Sequence, residues 1–274
     1  LAEVEFQVFS QFGDDGIIQW LLQQLPIPNK TFIEFGVEDY REANTRFLLV
    51  NNQWSGLVID GSEKNVGTIK ADQVHTFFDL QAVHSFITVA NINELISKAR
   101  FAKEVGILSV DIDGNDYWVL KAIKEIEPVI IICEYNSLFG FEQPCTIEYK
   151  HDFVRGKDFP FQFYGTSLKA AYDLAKEKGY SFIGCNSAGN NAYFIRNPFM
   201  QYLSIKEKTA SEGYVFANFT EAFDATAGEW LRGIEKIMSI NGLPVFNTET
   251  NTMEKVDAAA IKQSLIDNNK LKRF

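Results

Sequence analysis

Five short apolar runs in the first half of the chain each carry an acidic residue at their C-terminal end, and most are separated by helix-patterned segments. The runs are TFIEFG (31–36), GLVIDG (56–61), VHTFFD (74–79), GILSVDIDG (106–114) and PVIIICEYN (128–136). Near-continuous apolar runs alternating with amphipathic helices read as a mostly parallel sheet covered on both faces. In such open α/β sheets, ligands bind beyond the carboxyl ends of the strands, near the switch in strand order. Glu34 with Gly36, Asp60, Asp79, Asp111 with Asp113, and Glu134 with Asn136 all take that position. One acid at a strand end is an ordinary solvated cap. Five successive strand ends bearing acids point to a shared site.

The intervening segments complete the α/β pattern. Residues 12–25 place Ile17, Ile18, Leu21, Leu22 and Leu25 on one helical face with acids at the start, and Pro26 and Pro28 stop it. Helices are also predicted over 43–52, 92–102 and 116–126, and SFITV (85–89) is a further short strand candidate. Residues 138–166 are rich in aromatics, Pro and Gly without periodicity, and a loop of that length in a compact domain is usually functional or mobile. A helix over 167–179 closes on Gly179, and 180–185 with 191–196 form an antiparallel pair across CNSAGNNA. The expected organisation is one Rossmann-like domain over 1–198. Weaker helices at 221–240 and 256–268 make 199–274 a helical appendage, packing on the core or on a second copy of the chain.

Charge and cysteine usage exclude several function classes. The formal charge is −10, and no Lys/Arg cluster precedes the run Lys270, Lys272, Arg273, so a nucleic-acid partner is not expected. An acidic chain also gains nothing at an anionic membrane surface, and no segment reaches the ~18 apolar residues of a span. Cys133, Cys145 and Cys185 are odd in number and lack CxxC spacing, which disfavours disulfides and thiolate zinc. They read as small buried hydrophobes in a reducing, cytoplasmic setting. The start LAEVEFQVFSQFG has no basic stretch followed by an apolar one, as a signal peptide would. It also has no initiator Met, which leaves open what precedes Leu1.

Several segments resemble, in order from Ser10 to Asn136, the successive motifs of FkbM-type methyltransferases. These are SQFGDDGIIQWLL, FIEFGVEDY, GLVIDGS, SVDIDGNDYWVLKAI and IIICEYN. The later stretch YGTSLKAAYDLAKEKGYSFIGCNSAGNNAYFI is similar to the end of that domain. The resemblance implies a class I methyltransferase fold, binding of S-adenosylmethionine and transfer of its methyl group. It places Glu34 and Gly36 by the amino acid and ribose of the cofactor, and Asp60 with Gly61 at the ribose hydroxyls. Asp79 and Leu80 would frame the adenine, and Asp111 would add a further cofactor contact. The expected reaction is O-methylation of a hydroxylated small molecule, sugar or glycan. The alternative is a non-catalytic binding module that keeps the cofactor pocket.

The chain departs from the family pattern after Gly36, where Val37-Glu38-Asp39-Tyr40 replaces small residues and a second glycine. A dinucleotide needs GxGxxG so that its pyrophosphate can approach the backbone, and two added acids would repel it. A sulfonium cofactor without phosphate tolerates them. Asp111 and Asp113 are two apart, so on a strand they project to one face, and Glu134 and Asn136 have the same spacing. If the two strands are neighbours, four oxygen ligands suited to Mg²⁺ converge. Contacts to cofactor or substrate, or satisfaction by backbone amides and Lys, are the alternatives. As base for the acceptor hydroxyl the candidates are Asp113 and His151, the latter beside Asp152 in the long loop. Gly13-Asp14-Asp15-Gly16 reads as a helix cap or a group near the cofactor, and 186–192 as a hairpin loop that can touch substrate. Tyr135, Phe139, Phe141 and Tyr149 can line a sugar ring or simply pack.

Overall fold

The computed structural model describes residues 1–217, 222–224 and 228–270. After α1 (Asp14–Gln24) the chain alternates β1 (Thr31–Phe35), α2 (Arg46–Val50), β2 (Ser55–Asp60), α3 (Glu63–Ala71), α4 (Gln73–Phe77) and β3 (Leu80–His84). It continues through α5 (Ile92–Lys98), β4 (Ile107–Val110), α6 (Asp116–Ala122) and β5 (Ile130–Glu134), then a two-residue strand β6 (Cys145–Thr146). Next come α7 (Leu168–Glu177), β7 (Tyr180–Cys185) and β8 (Asn191–Arg196). The main sheet has seven strands in the order β3-β2-β1-β4-β5-β8-β7. β1 to β5 run parallel, and β8 turns back antiparallel to both β5 and β7. This is the Rossmann-like, mostly parallel sheet that the apolar runs predict. The chain leaves β1 toward β2 and β3, then returns to the other side of β1 with β4, so the switch in strand order lies between Gly36 and Asp111.

Two apolar layers cover the sheet. One contains Ile17, Ile18 and Leu21 of α1 with Phe32, Val58 and Ile130, and the other contains Ile33, Leu108, Ile131, Leu120 and the inner face of α7. Each Ile or Leu fully removed from water stabilises the fold by about 1.5–3 kcal/mol before conformational entropy is counted. α7 starts where the Ser167 hydroxyl accepts the Ala170 N–H at 3.1 Å. It ends before Gly179, whose φ of +85° suits a residue without Cβ. Cys133, Cys145 and Cys185 are buried and free. No helix among the described residues is long and apolar enough to cross a membrane.

Two expectations need correction. VHTFFD is not a strand: the Asp72 carboxylate caps the Val74 N–H at 2.9 Å and starts the short helix α4. The strand is the next five residues, β3, paired with β2 from Gly56–Leu80 to Asp60–His84, and 85–89 is loop and turn. The C-terminal region is not purely helical, although the helix expected over 256–268 is present there. It contains α8 (Ala210–Gly213), strands β9 (Ala222–Asp224), β10 (Glu229–Leu231), β11 (Pro244–Asn247) and β12 (Thr252–Lys255), a 3-10 helix at Gly233–Ile240, and α9 (Ala258–Asp267). β11 pairs with both β12 and β6. Ile237, Ile240, Val245, Val256, Ile261 and Leu265 are buried in the same apolar cluster as Phe139 and Leu168. Residues 221 and 225–227 of the predicted helix 221–240, and Lys272 and Arg273 of the basic run, lie outside the described residues.

Candidate active site

The site forms where the ends of β1, β2, β4 and β5 meet. Gly36 follows β1 with φ +71°, its N–H donating to the Ile59 carbonyl at 3.0 Å. A Cβ there would stand 1.7 Å from the Asp111 carbonyl oxygen, so only glycine fits. Glu34, 5% exposed, accepts the Asn44 N–H at 2.9 Å, the Thr45 N–H at 3.0 Å and the Thr45 hydroxyl. Burial pushes its carboxyl up to about 7 despite those three donors. Asp60 at the end of β2 accepts from Glu38 N (2.9 Å), Ser62 N (2.8 Å) and Asn65 Nδ2 (3.2 Å). The 37–40 turn that replaces the glycine-rich loop holds Glu38 and Tyr40 at φ 49° and 62°, left-handed values that are uncommon away from glycine.

Beyond β4 the chain turns sharply. Buried Asp116 accepts Ile112 N at 2.8 Å and Gly114 N at 2.9 Å, and burial raises its carboxyl to about 6. Asp113 adopts φ 54° and pairs with Arg155 from the long loop. The Arg155 guanidinium stacks 3.5 Å from the centroid of the Tyr164 ring and 4.1 Å from that of Phe161. Half-buried Asp111 stands against buried Glu134, and oxygens of Asp111, Asp113 and Glu134 lie within 4.8 Å of one another. Burial first, then repulsion from a neighbouring carboxylate (Asp113 for Asp111, Asp111 for Glu134), raises both carboxyls well above the usual range.

Two adjoining chambers open here. One of about 450 Å³ lies over the ends of β1 to β3 and carries Asp60, Gly61, Ser85, Phe86, Ile87 and Phe153 on its walls. The other, about 400 Å³, lies toward β5 and β8 and is polar, with Glu34, Glu42, Asn44, Glu134, Asn190 and Asn191. Gly36, Glu38, Asp111, Asp113, Arg155 and Phe161 line both, so they form the passage between them.

Of the residues singled out in the sequence, Glu34, Gly36, Asp60, Gly61, Asp111, Asp113 and Glu134 are brought together. Asp79 and Leu80 are not. Asp79 precedes β3 and Leu80 opens it, with the Asp79 carbonyl accepting from Gly56 N, so both lie at the N-terminal ends of the strands, away from the site. The strand begins six residues later than the apolar run suggests, and Ser85, Phe86 and Ile87, which follow it, line the first chamber. Asn136 does not join the carboxylates. Its Nδ2 donates to the Gln162 and Tyr164 carbonyls, and its Oδ1 accepts from Leu138 N. The four-oxygen Mg²⁺ set is therefore not assembled, and Arg155 supplies positive charge at Asp113. The His151 side chain is 80% exposed, pairs among the described residues with Asp152 alone, at 3.6 Å, and lines neither chamber. Tyr135, Phe139 and Phe141 pack in the core instead of lining a ring site.

Asp14 and Asp15 act as braces. Asp15 accepts Val8, Phe9 and Ser10 N–H groups at 2.7, 2.7 and 2.8 Å, which carries Gln11 to the polar chamber. Asp14 accepts Asn186 and Asn191 amides at 3.1 Å and the Tyr193 hydroxyl, fixing the 186–191 turn. Arg155, Phe161 and Tyr164 were missed by sequence reasoning. The available signal was the one arginine of the 138–166 loop, set among aromatics and opposite an acidic cluster.

The sequence matches the Methyltransferase FkbM domain over residues 8–182, more than half of the chain. No curated protein matches it. Among solved structures, the N-terminal domain of EvdMO1 with SAH bound is 11% identical, covers 68% of this chain and 80% of that one, and has a TM-score of 0.43. An O-methyltransferase from Bacillus cereus in complex with SAH is 13% identical, with 71% and 84% covered and a TM-score of 0.43. The methyltransferase domain of bacterial CtHen1-CN is 14% identical, with 66% and 96% covered and a TM-score of 0.43.

Proposed function

Because the chain belongs to the FkbM methyltransferase family, we propose that it transfers the methyl group of S-adenosylmethionine to a hydroxyl oxygen of a small molecule, sugar or glycan. The carrying observation is the pair of chambers joined at Gly36 and Asp111. The apolar one, with Phe86 and Ile87, suits an adenosine, and its volume lies within the range usual for small-molecule sites. A carboxylate has about four acceptor positions, and three protein donors already reach Asp60. Asp60 thus has room for one ribose hydroxyl, and Glu38, which lines both chambers, would accept from the other. The acids around the passage favour a sulfonium and disfavour a pyrophosphate. Methyl transfer is an in-line displacement, so the protein's main task is alignment of donor and acceptor across that passage.

Calorimetric titration with S-adenosylmethionine, S-adenosylhomocysteine and NAD tests the reading. Both sulfur nucleotides are expected to bind and NAD is not, with Asp60→Ala weakening S-adenosylhomocysteine at least tenfold. Absence of binding by either sulfur nucleotide would refute it.

A further inference from the structure

The polar chamber ends on two buried oxygens that no donor among the described residues reaches. Glu134, last in β5, is paired in register with Asn191, first in β8, and the two are 7% and 3% exposed. Among the described residues, neither Glu134 Oε2 nor Asn191 Oδ1 accepts a hydrogen bond. The amide orientation of Asn191 is fixed, because its Nδ2 donates to Asp14 at 3.1 Å. Buried acceptors in native proteins nearly always have a partner, and two on register-paired residues lining one chamber call for a ligand that supplies donors. Antiparallel partners hold their side chains about 5 Å apart on one face, within reach of two neighbouring hydroxyls. Arg155 is the one cation lining the chamber among the described residues, and it is engaged by Asp113. A phosphate or carboxylate would therefore meet acceptors and negative charge.

We propose that Glu134 and Asn191 form a substrate subsite for an uncharged vicinal diol, each taking one hydroxyl proton donor of the pair. The proposal rests on the methyltransferase reading for its place in a reaction. The diol is assigned to the methyl acceptor rather than the cofactor by the strand order, since β5 and β8 lie on the far side of β4 from the chamber over β1 to β3. A divalent cation is the less fitting occupant, because one of the three converging carboxylates already holds a guanidinium.

The test titrates the full chain, with and without S-adenosylhomocysteine, with neutral methyl hexopyranosides, their 2,3-dideoxy counterparts and the matching uronates. At least one intact glycoside is expected to bind, with its dideoxy and uronate relatives at least tenfold weaker. Glu134→Met, which keeps the side-chain length but removes both acceptor oxygens, and Asn191→Ala are each expected to weaken that glycoside at least fivefold and to change S-adenosylhomocysteine affinity less than twofold. No binding by any neutral diol, or binding unmoved in both variants, overturns the proposal. So does an equal loss of S-adenosylhomocysteine affinity, which would give these oxygens to the cofactor, or displacement of the glycoside by Mg²⁺, which would make them a cation site. If S-adenosylhomocysteine fails to bind the unmodified chain, the cofactor reading falls, while the titration without it still decides the diol subsite.

Discussion

Gly36 and Asp111 touch so closely that the Cβ position of the first lies 1.7 Å from the carbonyl oxygen of the second. This contact ties the end of β1 to the end of β4 at the reversal in strand order and forms the wall shared by both chambers. Gly36→Ala would add a clash with backbone to left-handed strain at φ +71°. It is expected to destabilise the fold by at least about 2 kcal/mol and to abolish S-adenosylhomocysteine binding. Denaturant melts and calorimetry check both, and an unchanged affinity would show that the wall can yield.

Arg155 is predicted to matter for turnover far more than for stability. Its partner Asp113 is 54% exposed, so the ion pair is worth less than about 1 kcal/mol, and Arg155→Lys should unfold at nearly the same denaturant concentration. The lysine loses the planar stack on Tyr164 and Phe161. Once an acceptor is in hand, kcat/KM is expected to drop at least tenfold. His151→Ala, on the exposed face of the same loop, should leave it within twofold.

Asp14 is predicted to be a stability residue. Asp14→Ala leaves the Asn191 amide and the Tyr193 hydroxyl without their acceptor in a buried setting, and leaves the Asn186 amide with Asn190 alone. Each orphaned donor costs about 1–3 kcal/mol, so a loss of at least about 2 kcal/mol is expected in chemical denaturation. A loss below about 1 kcal/mol would mean that the 186–191 turn can rearrange freely.

The buried Glu34 gives the fold a pH dependence of definite sign. Its carboxyl is raised from an ordinary value of 4.5 to about 7, so between those values the folded chain binds the proton more tightly than the unfolded one. Stability contributed by that proton is present below pH 4.5, declines as pH rises through the window, and is gone above about pH 7. The full decline is on the order of 3 kcal/mol. Comparing denaturation at pH 5 and pH 7.5, Glu34→Gln should show a smaller difference than the unmodified chain. An equal difference in both would rule out Glu34 as the source.

What could be read in the sequence were features carried by local pattern. Residues 31–36, 56–61, 106–114 and 128–136 are apolar because the sheet is buried on both faces, and their terminal acids stand out for the same reason. VHTFFD misled because His75, Thr76 and Phe77 have strand-like composition, whereas the deciding interaction was the Asp72 cap on Val74. The two-residue spacing of Asp111 and Asp113 did predict their convergence, although β4 ends at Val110 and the left-handed turn at Asp113 brings it about. For Glu134 and Asn136 the same spacing failed, since β5 ends at Glu134 and Asn136 caps the following turn. Arg155, Phe161 and Tyr164 owe their placement to stacking and to Asn136 holding the 162 and 164 carbonyls, and neither leaves a periodic trace.

The pairing of β11 with β6 has a practical consequence for anyone who shortens this chain. The family match ends at residue 182, yet Phe246 and Asn247 supply the partners of Thr146 and Cys145, and Trp118 rests against Phe246 with ring centroids 5.0 Å apart. A truncation at 198 would strip a hydrophobic cover from the segment that leads into the Arg155 loop. A fragment ending at 198 is therefore expected to aggregate rather than serve as a minimal catalytic unit.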